Sequence, residues 1–184
     1  MLAPARRAAG PGEGELNAMS DLSWRPMREE DLDRVAEIAV LGFPDHFEGR
    51  PVFANRLELY PRGSFVLAAG DEPPLGYLIA YPMRRDTAPP LNTLIEAIPE
   101  AAEAIYLHDL ALHPDVRGGG HTAAIVERLA EQAKADGWPA LALVAINDAA
   151  GFWIKRGFET AASPGMAENL ASYGPDARYM VRPL

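Results

Sequence analysis

The chain has 184 residues, 48% of them hydrophobic and 23% charged, the balance of one globular domain long enough to bury a core. Asp and Glu outnumber Lys and Arg by 26 to 17, a formal net charge of −9; this argues against nucleic-acid and anionic-membrane partners, which need a basic surface, and suits a cationic or neutral small substrate. With no cysteine, disulfides, thiolate metal sites and a cysteine nucleophile are excluded, and no apolar run approaches the roughly 20 residues of a membrane span.

Residues 1–20 (MLAPARRAAGPGEGELNAMS) are rich in Ala, Gly and Pro and lack both a periodic apolar face and the apolar stretch of a signal peptide. They read as a disordered leader to a single domain over 21–184, with Met19 a candidate natural start. Arg6 and Arg7 suggest a transit peptide, but Glu13 and Glu15 count against one, and the expected location is the cytoplasm. Leu22–Met27 reads as a strand. The acidic turn Glu29-Glu30-Asp31 then opens a helix, where the helix dipole favours negative charge, and Leu32, Val35, Ile38 and Ala39 form one apolar face. Gly42, Pro44 and Gly49 interrupt, and a short helix is predicted over Val52–Leu59 with Phe53, Leu57 and Tyr60 inward.

Ser64–Ala69 and Leu75–Tyr81 read as strands joined by the turn Asp71-Glu72-Pro73-Pro74, a hairpin. Asp86–Ala104 is an insertion with a short helix predicted around Leu91–Ile98. Ala104–Leu112 is the next strand, followed by a glycine run and a helix over Gly119–Asp136 that Gly137 ends. Ala140–Ile146 is a continuous apolar run, a strand covered on both faces. Ala149–Arg156 reads as a helix stopped by Gly157, and Phe158–Ala162 and Ala177–Arg182 as closing strands. Early paired strands followed by a β-α-β-α-β half imply one α/β domain with a mixed sheet.

The segment from Leu112 to Thr122 (LHPDVRGGGHT) joins a strand to a helix. Its glycines let backbone N–H groups turn toward one point, the helix start adds the positive end of its dipole, and Arg117 adds a cation: a cradle for a pyrophosphate. Gly118, Gly120 and Ala123 also fit a dinucleotide fingerprint loosely, which keeps a dinucleotide-binding oxidoreductase open as a reading. Against it, His113 and Pro114 separate strand and glycines too widely for the tight turn of that motif. A second element, from Asn147 to Phe158 (NDAAGFWIKRGF), follows the next strand directly.

Together the two segments resemble the GCN5-related N-acetyltransferase superfamily over Leu22–Leu184. Arg117, Gly120 and Thr122 stand where its motif A has an Arg/Gln-x-x-Gly-x-Gly/Ala loop; Thr122 departs from the usual small residue. Asn147, Trp153, Gly157 and Phe158 match motif B, one residue shorter than its commonest spacing. The resemblance implies an acyl-CoA N-acyltransferase fold: a mostly antiparallel central sheet splayed between strands 4 and 5, with helices on both faces. It implies acetyl-CoA as the cofactor, held by Leu110, Ala111 and Leu112 of the strand, by Arg117, Gly118, Gly119, Gly120, His121 and Thr122 of the loop, and by Asn147 and Trp153. It also implies direct transfer to a primary amine of a small molecule or a protein N-terminus in a ternary complex, with no metal and with a homodimer admitted. A non-catalytic acyl-CoA-binding domain of the same fold is the alternative.

Acetyl transfer needs a deprotonated amine, and histidine, titrating near pH 6.5, is suited to take its proton. Of His46, His108, His113 and His121, only His108 lies in a strand. Strict alternation puts Tyr106, His108, Leu110 and Leu112 on one face and Leu107, Asp109 and Ala111 on the other. Ile105–Leu112 resembles the strand of serotonin N-acetyltransferase that carries two base histidines, Tyr106 and His108 standing at the matching positions; these two are the candidate catalytic residues. Asp109 is read as a buried structural carboxylate. His113 and His121 read as caps of the phosphate loop, and His46 as a border of the acceptor site. Trp153 stands where many relatives carry a tyrosine acid, and indole cannot release a proton at neutral pH, so Tyr106, Tyr173, Tyr179 or water is left for that part. Asp45, Glu48, Glu96, Glu100 and Glu103 lie in the segments expected to wall the acceptor side and read as solvated charges.

Overall fold

A computed structural model describes residues 21–184; the leader expected over residues 1–20 lies outside the described residues. Seven strands form one sheet in the order β1-β2-β3-β4-β5-β7-β6. They are β1 (Leu22–Pro26), β2 (Ser64–Ala69), β3 (Gly76–Met83), β4 (Ala104–Leu112), β5 (Ala140–Ala145), β6 (Glu159–Thr160) and β7 (Arg178–Pro183). Every pairing is antiparallel except β4 with β5. This order is not the parallel, doubly wound sheet that a dinucleotide-binding oxidoreductase requires, so that reading falls. Among the described residues no helix is long and apolar enough to cross a membrane.

Helices α1 (Leu32–Gly42) and α2 (Arg50–Leu59) cover one face, with Val35, Ile38 and Phe53 against Tyr77, Ile79 and Tyr81 of β3. Helices α3 (His121–Ala135) and α4 (Ala150–Ile154) cover the other, where Ile125, Val126 and Leu129 pack with Leu78, Ile105 and Leu141. Each such side chain, removed from water, contributes about 1.5–3 kcal/mol. The first turn of α1 is set by Asp31. Its carboxylate accepts the Arg28 N–H at 2.8 Å and pairs in a fork with the Arg25 guanidinium at 2.7 and 2.8 Å. The helix ends at Gly42, where a Cβ would stand 3.0 Å from that of Ala111, so the missing side chain lets α1 close on β4.

Three sequence expectations are corrected. No helix forms around residues 91–98. Residues 84–103 are irregular, and α2 and its approach satisfy backbone groups that a helix would have paired internally. Asn55 bridges the N–H and C=O of Ile95, Arg56 donates to the Thr93 carbonyl at 2.7 Å, and Glu48 accepts the Asn92 N–H at 2.9 Å. Asn92 itself has φ +53°, which interrupts a right-handed helix. Second, the stretch between β6 and β7, for which the sequence predicts no element, contains helix α5 (Ala167–Tyr173). Third, β4 does not alternate strictly. It carries a bulge: Asp109 pairs with Ile79 and Leu107 with Ala80, leaving His108 as the extra residue.

Candidate active site

β4 and β5 are registered only at Ile105–Leu141 and Tyr106–Ala142, after which the strands part. The gap is a cavity of about 840 Å³ including its mouth. Leu107, His108, Asp109 and Leu110 form one wall, and Leu143, Val144, Ile146 and Asn147 the other. Beyond Tyr106 the β5-facing edge of β4 has no strand partner, which leaves its backbone groups available to an extended ligand arm. A second cavity, lined by Gly42, Leu112, Arg117, Gly118 and Thr122, shares Phe43 and Leu110 with the lining of the first.

The glycine loop has the form of an anion cradle. Gly118 and Gly120 have φ of +85° and +77°, a region closed to most side chains, and a Cβ on either would meet nothing within 4 Å. Gly120 is the N-cap of α3 and has no side chain to cap it, so the first N–H groups of the helix are unclaimed by a cap. Arg117 is anchored through Nε to the Leu112 carbonyl at 3.2 Å and, among the described residues, has no ion-pair partner. These features fit a pyrophosphate. Gly119, Gly120 and His121 do not line either cavity; the His121 carbonyl accepts the Trp24 indole N–H at 3.0 Å. Trp153 lines the first cavity, edge-on to Phe152 and Phe158 at 4.9 and 5.4 Å, which fixes the indole as a rigid wall.

The bulge rearranges the chemistry of β4. His108 packs against the rings of Tyr81 and Tyr106 at 5.6 and 6.1 Å, and Asp109 accepts the Tyr77 hydroxyl at 2.5 Å. All three tyrosines belong to the α1/α2 face. His108 and Asp109 therefore share that face with Tyr106, whereas Leu110 packs on the opposite side. The expected opposition of His108 and Asp109 is overturned. Burial pushes the Asp109 carboxyl up to about 6, against the pull of His108 and the Tyr77 hydroxyl.

Glu48, expected as a solvated charge, is buried. Its Oε2 lies 2.7 Å from His108 Nε2, with side-chain exposures of 5% and 4%, while Oε1 takes the Asn92 N–H. Burial acts to raise the Glu48 carboxyl, but the bond and charge of His108, the Asn92 N–H and the nearby Arg56 outweigh it and hold it below its ordinary value. Arg56 is fully buried, and its guanidinium lies 5.4 Å from the Tyr81 ring centre. The other ring nitrogen of His108, Nδ1, is buried and unpartnered. Of the remaining expected acidic wall, Asp45, Glu96, Glu100 and Glu103 are exposed and line neither cavity.

His46 borders the cavity, stacked on Tyr173 at 6.1 Å with Nε2 bonded to the Tyr173 carbonyl. His113 caps a short turn through the Asp115 N–H. None of the tyrosines considered as acid presents a free hydroxyl. Tyr179 accepts the Asp86 N–H away from the cavity, and Tyr173 donates to the Pro89 carbonyl and is raised to about 12 by burial. Tyr106 is bonded to Tyr173, and burial pushes its hydroxyl far above the ordinary range.

A model of the acetyltransferase (GNAT) family matches residues 17–158. No curated protein matches the sequence. Ard1 from Thermoplasma volcanium superposes with a TM-score of 0.67 at 15% identity, over 89% of this chain and 98% of that one. A GphF GNAT-like decarboxylase in complex with isobutyryl-CoA gives 0.70 at 16%, over 88% and 98%. The ribosomal-protein-S18-alanine N-acetyltransferase from Escherichia coli gives 0.62 at 18%, over 88% and 93%. At these identities the likeness is one of fold.

Proposed function

Since the chain belongs to the acetyltransferase (GNAT) family, we propose that it is an acetyl-CoA-dependent N-acetyltransferase acting on a primary amine of a small molecule or a protein N-terminus by direct attack. The observation that carries this reading is that the two cavities are neighbours, sharing Phe43 and Leu110 in their linings. A phosphate cradle thus lies beside a cleft holding a buried histidine with one unpartnered nitrogen. Gly118, Gly120, Thr122 and Arg117 would hold the pyrophosphate, the free β4 edge from Leu110 to Leu112 the pantetheine arm, and Asn147 and Trp153 the far wall. The bound thioester supplies the acetyl group.

His108 takes the proton that the acceptor nitrogen loses as its bond to the acetyl carbon forms. No tyrosine hydroxyl here is matched to protonating a thiolate: a phenol at about 12 is a weaker acid than a thiol at about 8.5. The thiolate therefore leaves without concerted protonation from the protein. The residues lining the cleft include the carboxylates Glu48 and Asp109 but no Lys or Arg, which supports a cationic acceptor without a carboxylate of its own.

Free-thiol release from acetyl-CoA over a panel of amines, amino acids and peptide N-termini tests the proposal. Amine-dependent turnover is expected, together with a rise in stability of about 2.7 kcal/mol at 100 times Kd. Stabilisation by acetyl-CoA with no turnover across the panel would instead favour an acyl-CoA-binding domain without catalysis.

A further inference from the structure

We propose that Glu48 is a positioning residue that sets the tautomer of His108, placing the proton on Nε2 and leaving the lone pair on Nδ1 as the ring's one free proton acceptor. The inference rests on the reading of His108 as the base, but the tautomer itself can be observed without turnover.

The argument starts from what each Glu48 oxygen is bound to. Oε1 accepts the Asn92 backbone N–H, and Oε2 faces His108 Nε2 at 2.7 Å. An ionised carboxylate can only accept hydrogen bonds, so the ring nitrogen facing it must carry hydrogen. In the neutral ring the other nitrogen then holds the lone pair, and Nδ1 is the atom left without a partner. The remaining groups around the ring do not compete for that assignment. Tyr81 and Tyr106 contact it through their rings, and Asp109 is already engaged by the Tyr77 hydroxyl. Arg56 adds positive charge near Glu48 and favours its ionised form. The same residue donates to Thr93, one residue from Asn92, so loop, carboxylate and ring are fixed as one unit. A bulged histidine without such a partner would be free to present either nitrogen.

Glu48→Gln inverts the arrangement. Keeping the Asn92 bond on Oε1 turns the amide NH2 toward Nε2, which must then accept, and the proton moves to Nδ1. Nitrogen-15 NMR of the His108 ring, at a pH where it is neutral, should show Nε2–H in the wild type and Nδ1–H in Glu48→Gln. The kcat/KM of the variant should fall on the order of 10²–10⁴-fold, the range for losing a positioned base. Its acetyl-CoA affinity should be unchanged. In the double variant with His108→Gln, no further loss should follow, because both substitutions remove the same function.

A wild-type ring protonated on Nδ1 overturns the proposal, as do losses that multiply in the double variant. If Glu48→Gln does not fold, the wild-type spectrum still decides. A wild-type protein that turns over no amine sinks the acetyltransferase reading, while the ring shifts continue to judge Glu48.

Discussion

His108 and Asp109 are consecutive in the chain and yet stand on the same face of the sheet, because the β4 bulge inserts His108 between the pairs Leu107–Ala80 and Asp109–Ile79. One extra residue thus brings an imidazole and a carboxyl into a single cleft. Without it Asp109 would face α3 and α4, where the packed residues are apolar.

Asp109→Asn should change how stability depends on pH. Burial raises the folded-state carboxyl from an ordinary 3.8 to about 6, so folding takes up a proton between these values. Stability contributed at this position is therefore greatest below about pH 4, falls as pH rises through the window, and stays low above it. Asn has nothing to ionise and still accepts the Tyr77 hydroxyl. Urea unfolding should find the variant more stable than the wild type at pH 7.5, by on the order of 1–3 kcal/mol at 1.36 kcal/mol per unit. The gap should shrink toward pH 4. A difference constant with pH would mean that Asp109 is ionised throughout.

His108→Gln should lower kcat/KM by roughly 10²–10⁴-fold. The glutamine amide can still donate to Glu48 as Nε2 does, so the loop before α2 should stay in place and acetyl-CoA affinity, by calorimetry, should be near wild type. The deficit should shrink at high pH, where the amine arrives already neutral. An equal deficit at every pH in a well-folded variant would assign the proton to Asp109 or to water instead.

Thr122→Asp separates stability from cofactor binding. Position 122 lies in the first turn of α3, where a carboxylate interacts favourably with the helix dipole by about 0.3–1 kcal/mol. The same charge would face a bound pyrophosphate across the cavity that Thr122 lines with Arg117 and Gly118. The melting temperature of the ligand-free protein should hold or rise, while acetyl-CoA affinity falls at least tenfold, about 1.4 kcal/mol. Unchanged affinity would place the pyrophosphate elsewhere.

Local chemistry was legible in the sequence and long-range pairing was not. The face Leu32, Val35, Ile38 and Ala39 reports α1 through its own spacing, and the Gly118–Gly120 run reports the cradle through backbone freedom that only glycine has. The bulge was masked because Leu110 and Leu112 continue the period of Tyr106. Its one trace is the adjacent polar pair His108-Asp109 inside an otherwise apolar strand, an arrangement that strict alternation cannot satisfy on two covered faces. Glu48 meets His108 across 60 residues of chain, and nothing in its neighbours distinguishes it from Asp45 or Glu100. The 84–103 loop depends on Asn55 and Arg56, whose reach becomes visible only once α2 is docked on β3.

The acceptor itself is the last expectation. A carboxylate carried beside the reacting amine would enter a cleft whose lining includes Glu48 and Asp109 and no Lys or Arg. The buried Arg56 charge, which favours the ionised form of Glu48, offsets part of this repulsion, but Arg56 is absent from the lining and so cannot pair with a substrate carboxylate. Two like charges about 7 Å apart, at an effective dielectric near 20, repel by roughly 2 kcal/mol, which corresponds to about 30-fold in kcat/KM. Pentylamine and norleucine amide should therefore be acetylated about 30-fold more efficiently than norleucine, which has the same side chain and amine but a free carboxylate. The gap should narrow in Asp109→Asn, which removes one of the two charges, and in high salt only to the extent that the cleft admits ions. Norleucine acetylated as well as its amide would mean that the carboxylate points out of the cleft into solvent, and that the charge of the lining does not select the substrate.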